Sequence, residues 1–65
     1  MTQFTITGDR VGYQVVVERE GVEYHALFRM IEDASWTSLH VGHDLKLAVY
    51  IALRKASEIE EVYIK

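Results

Sequence analysis

An antiparallel β-sheet of three to four strands, based on a hairpin and covered on one face by one long helix, is the α+β fold this sequence predicts. Three observations predict it. Residues 2–7, 13–18 and 22–28 are rich in β-branched and aromatic residues with strand-like patterning, the mark of half-buried strands. Gly21 separates the last two stretches where a tight turn is needed. From Gly42 the apolar period changes from two to 3.6, which is the period of an amphipathic helix. The predicted order is β-β-β-(β)-α-β, in a single domain over residues 1–65. No Ser/Gly-rich linker, low-complexity tract or internal repeat divides it.

Each element has its own justification. Residues 2–7 read T-Q-F-T-I-T, with Phe4 and Ile6 alternating against polar neighbours, and the turn at 8–10 ends the run. With Glu20-Gly21 as the hairpin loop, Val17 faces Tyr24, Val15 faces Ala26 and Tyr13 faces Phe28, all on one apolar face. The other face then sets Glu18 against Glu23, a like-charge pair that leaves a bulged three-residue loop open. Residues 31–35 read as a loop, and residues 36–41 as a short strand with Trp36, Ser38 and His40 on one face and Thr37, Leu39 and Val41 on the other. Asp44 is placed to cap a helix over residues 44–58. Leu45, Ala48, Val49, Ala52, Leu53 and Ala56 form its inner stripe. Residues 59–65 extend the helix or form a last strand, and Val62-Tyr63-Ile64 favours the strand on propensity.

The composition excludes more than it identifies. The chain has 65 residues, is 49% hydrophobic with mean hydropathy −0.01, and contains no cysteine and no proline. Without cysteine there is no disulfide framework and no thiolate nucleophile, and a structural zinc site would need His and carboxylates alone. A chain this short sits near the lower limit for one core, and oligomerising is a common way to enlarge it. A net charge of −3 argues against general phosphate-backbone binding. No apolar run approaches the roughly 20 residues of a membrane span, and the N-terminus lacks the basic start of a signal peptide. A cytoplasmic protein without a membrane partner is the expectation.

Three constellations carry candidate chemistry. His40, His43 and Asp44, with His25 or Asp9, have metal-ligand residue types. A helix cap, a first-turn surface residue and a strand-end residue explain the first three better, so no metal or other cofactor is expected. The remaining acids scatter, and no nucleophile elbow, zinc-protease pattern or phosphate loop occurs. No catalytic residue is expected. Arg10, Tyr13, Arg29 and Trp36 are the candidates for a base-stacking sheet face that binds single-stranded nucleic acid. On the helix, Leu47 and Ile51 point away from the inner stripe at about 100° per residue, with Tyr50 beside them and Arg54 at the rim. A single sheet does not need this second apolar surface. Such patches mark protein contacts, unless the tail or the 31–35 loop folds over it.

Residues 13–18 (Tyr13-Gln14-Val15-Val16-Val17-Glu18), the second strand Tyr24-His25-Ala26-Leu27-Phe28, the turn Gly42-His43-Asp44 and the Ala/Leu-rich stretch 47–53 follow one another in a set order. In that order residues 12–56 resemble the HicB-type antitoxin domain, whose first strand has the form Y-x-V-x-x-E. That domain is regarded as a shortened ribonuclease-H-like unit. In the ribonuclease H comparison, residues 5–9 stand for the first strand and 61–65 for the strand after the helix. The antitoxin's Pro-containing loop has no counterpart here. Asp9 falls near the nuclease's first acid, but the helix acid falls near Leu45, so the metal-binding carboxylate set is incomplete. The resemblance implies a non-catalytic domain that dimerises or neutralises a partner. The functional expectation is therefore a small interaction protein, a homodimer or the binder of a small protein partner. Nucleic-acid binding is the alternative, and a metal-dependent hydrolase-like fragment the remote one.

Overall fold

The computed structural model describes residues 2–8 and 10–64. Strands β1 (Thr2–Gly8), β2 (Tyr13–Glu20), β3 (Glu23–Met30) and β4 (Thr37–Gly42) form one antiparallel sheet in that order, and the helix α1 (Leu45–Ile64) follows. The α+β class and the single helix on one sheet face agree with the sequence reading. The last strand does not. Residues 59–64 continue the helix. Glu58, Glu60 and Glu61 are better helix than strand formers. Continuing the helix also sets Ile59 three residues beyond Ala56, where it is buried in the core. That burial outweighs the strand propensity of the residues after it.

The hairpin forms with a register two residues from the expected one. Glu20 pairs with Glu23, so Gly21 and Val22 are the loop, and Val17 faces Ala26, Val15 faces Phe28 and Tyr13 faces Met30. Gly21 takes φ +62° while Val22 stays out of the positive region. This is the pattern of a II′ turn, which needs glycine only at its first central position. A shift of two preserves the faces, so the apolar side of the hairpin is the one the sequence indicated. Glu18 now faces His25 in place of Glu23. The like-charge pair has moved to the exposed mouth of the turn, where water screens it.

Two irregularities shape the edge strands. The β1–β2 register shifts between Thr2 and Phe4, and the β3–β4 register shifts between Ala26 and Leu27. The second shift leaves Leu39 as an extra residue between Ser38, which faces Leu27, and His40, which faces Ala26. The bulge breaks the expected alternation. Ser38 lies on the open face, while His40 turns toward the helix-covered side with Ala26. Leu39 packs against the core.

The core is thin. Tyr13, Val15, Val17 and Ala26 from the sheet meet Ala48, Ala52, Ala56 and Ile59 from α1. The three alanines, four residues apart, form a ridge without bulk, so the helix backbone lies close to the strands. Leu45 and Leu53, expected in the inner stripe, are pushed to its margins and are exposed. At the sheet's end the Tyr13 ring lies against Gly8, where an added methyl would overlap it. The Gly12 amide donates to the Gly8 carbonyl at 2.8 Å, and the Gly12 carbonyl accepts from Ile31 at 2.7 Å, which ties the β1–β2 turn to the end of β3. Asp44 caps α1 as expected, its Oδ1 accepting from the amides of Lys46 at 3.0 Å and Leu47 at 3.3 Å.

Two stability changes follow. Ala52→Leu overfills the helix–sheet contact and lowers the unfolding free energy by about 1–3 kcal/mol in urea titration. Asp44→Ala leaves two helical amides uncapped and costs about 1 kcal/mol by the same measurement.

Candidate interaction surface

The outward face of α1 carries the feature the helical spacing predicts. Leu47 is 43% exposed and Tyr50 56% exposed, one turn apart. Arg54 lies one turn beyond Tyr50, its guanidinium 6.0 Å from the ring centroid. Ile51 is half-buried on the flank facing β4. There Leu39, Tyr50, Ile51, Arg54, Lys55 and Glu58 line a shallow groove of about 210 Å³. Lys55 runs over the Phe28 ring at 4.5 Å, closing the gap between helix and sheet below it. The tail continues the helix and the 31–36 connection leaves Leu47 and Tyr50 exposed, so neither segment covers the patch.

A second groove, of about 650 Å³, runs on the opposite flank between β1 and α1. Ile6, Arg10, Leu53, Ala56, Ser57 and Glu60 line it. Leu53 forms its apolar wall at 50% exposure. The sequence reading missed this wall by assigning Leu53 to the buried stripe. The run of alanine at 48, 52 and 56 was the available signal, because a ridge that small leaves no depth for a flanking leucine. At the groove's end the Tyr13 hydroxyl donates to Glu60 Oε2 at 2.8 Å. Burial, the hydrogen bond to Glu60 and its negative charge together push the Tyr13 hydroxyl up to about 12.

Of the nucleic-acid candidates only Arg29 and Trp36 are brought together. Tyr13 is 1% exposed and faces the helix, so its ring offers no surface for stacking. Arg29 and Trp36 meet on the opposite, open face, with the guanidinium 5.0 Å from the indole centroid. Arg29 is already engaged, donating to the Asp33 carbonyl at 3.2 Å and to Gln14 Oε1 at 3.5 Å. Arg10 lies apart from them, at the groove beside β1. The histidines also separate. His25 faces Val41 and lies 3.6 Å from Glu23, His40 faces Ala26, and His43 and Asp44 stand at the helix start. Asp9 lies outside the described residues. Among the described residues no group of three or more His, Asp or Glu could hold a metal ion, and no helix is long and apolar enough to cross a membrane.

No family model, curated protein or solved structure matches this chain.

The Tyr13–Glu60 contact has a pH signature. An unfolded tyrosine ionises near 10.0 and the folded Tyr13 near 12. The folded state therefore holds its proton longer, and the stability it contributes is complete below pH 10 and lost as pH rises through 12. The unfolding free-energy difference between wild type and Tyr13→Phe is expected to be constant below that window and to shrink across it. A difference that stays flat to pH 12 would show that the hydroxyl is not held in this way.

Proposed function

We propose that the chain is a small non-catalytic interaction protein that pairs with a second copy of itself and engages another protein through the outer face of α1. The observation that carries this reading is the exposure of Leu47 and Tyr50 on a helix whose inner face is already satisfied by the sheet. Exposed aromatic and aliphatic side chains beside an arginine are the composition of interface anchors. Self-association is supported by the thinness of the core, whose helix side is mostly alanine. The resemblance of residues 12–56 to the HicB-type domain supports an antitoxin-like or regulatory role, in which the chain acts by covering its partner.

Affinity capture with tagged wild type and with the double variant Leu47→Glu, Tyr50→Glu tests the helix contact. Both sites are exposed, so the variant is expected to keep its circular dichroism and to change stability by about 0.5 kcal/mol or less. Proteins retained by the wild type are expected to be lost from the variant. Equal retention by both chains would remove this face from the proposal.

A further inference from the structure

We propose that two copies of this chain join through the outer edge of β1, antiparallel and centred on Thr5, to make one continuous eight-stranded sheet. The proposal rests on the self-pairing just described and adds the place where the copies meet.

The sheet order leaves β1 and β4 as its edges. An edge strand presents a row of main-chain donors and acceptors, and proteins block such rows with charges, proline or bulges. Neither edge strand contains a charged residue or proline, so the bulges decide between them. In β4 the bulge falls mid-strand at Leu39, which leaves only short regular pieces on either side. In β1 it falls at the start, and residues 4–8 keep an unbroken register with β2. The β1 edge is the straighter template.

The sequence of β1 is self-complementary. Pairing about Thr5 sets Phe4 opposite Ile6 of the partner subunit and Ile6 opposite Phe4 of the partner subunit. Both residues are half-buried on the side facing the helix. The opposite face then presents Thr5 and Thr7, with Thr2 beyond the bulge, from each copy, all exposed and polar. A strand paired antiparallel with its own copy closes on a two-fold axis and leaves no further β1 edge to propagate. The area argument points the same way. A stable interface takes about 800 Å² from each partner, more than one strand edge supplies. The helix covers β1 less than any other strand, and the 650 Å³ groove beside it exposes Leu53. The second copy brings its own Phe4, Ile6 and Leu53 to that side, so the apolar surfaces that each helix leaves uncovered adjoin.

The test uses light scattering and a single introduced thiol. Wild type at millimolar concentration is expected at twice the 7.5 kDa chain mass. Thr5→Lys with Thr7→Lys places like charges near the axis and is expected to raise the dimer dissociation constant by on the order of tenfold or more. The chain has no cysteine, so Thr5→Cys reports without background. Paired residues in an antiparallel ladder have Cα atoms about 4.5–5.5 Å apart, within disulfide reach of about 4.4–6.8 Å. Thr5→Cys is expected to form a covalent dimer under mild oxidation, while Leu47→Cys at equal concentration is not. Amide exchange on wild type, which needs no variant to fold, is expected to show protection in residues 4–8 that grows with concentration. A wild type that stays at the monomer mass overturns both self-pairing and its site. A dimer that ignores the lysines, fails to cross-link at Thr5 and does cross-link at Leu47 overturns only the site, and places the contact on the helix.

Discussion

The close seating of α1 on the sheet is the constraint from which the rest of this structure follows. Ala48, Ala52 and Ala56 are buried against Val15, Val17 and Ala26, and a ridge of methyl groups fixes the helix near the strands. Closeness has two costs. The core gains little volume from the alanine stretch of the helix, and the leucines of α1 find no room beneath it. Leu45 and Leu53 are displaced to the margins, and Leu47 and Tyr50 already face outward. A helix with leucine at the alanine positions would stand higher and cover more of the sheet. This one stays low and leaves apolar surface on its back and along β1. The interaction surfaces and the packing are thus one phenomenon.

Tyr13 shows how that geometry is anchored. Its ring lies against the glycine at the end of β1, and its hydroxyl reaches Glu60 in the last third of the helix. One residue joins the first hairpin, the second strand and the far end of α1. The buried hydroxyl has a partner, as a buried polar group requires, and the partner is a residue of the segment that propensity assigned to a strand. The extension of the helix through residues 59–64 is therefore supported at two places, by the burial of Ile59 and by this contact.

Much of the fold was legible because the signals were periodic. The helix, its Asp44 cap and the outward-facing Leu47, Tyr50 and Arg54 follow from a 3.6-residue period with one capping residue, while Ile51, expected beside them, turns half-buried to the flank facing β4. The faces of the hairpin were legible for the same reason, although its register was not. Gly21 serves either central position of a two-residue turn, and only the II′ geometry with Val22 second settles which. The bulge at Leu39 carries no local sequence signal; it arises where β4 must keep both Leu39 and His40 toward the covered side. Tyr13 qualifies as a stacking candidate on sequence because an aromatic on a strand is ambiguous between core and surface until the helix is placed. The β1 groove was illegible because it depends on the height of the helix, a property of the packed pair of layers and of neither alone.

The open side of the sheet has its own fastening. Arg29 on β3 reaches Gln14 on β2, the carbonyl of Asp33 in the connection, and the ring of Trp36 just before β4. Two strands and the connection that leads to β4 are thereby linked on the face the helix does not touch, and Val16 at its centre is only 5% exposed although no layer covers it. Trp36 is the single tryptophan of the chain, and it belongs to this network. Its fluorescence consequently reads one layer of the molecule, while helical circular dichroism reads the other. Two ordinary spectroscopic signals are enough to ask whether sheet and helix come apart together.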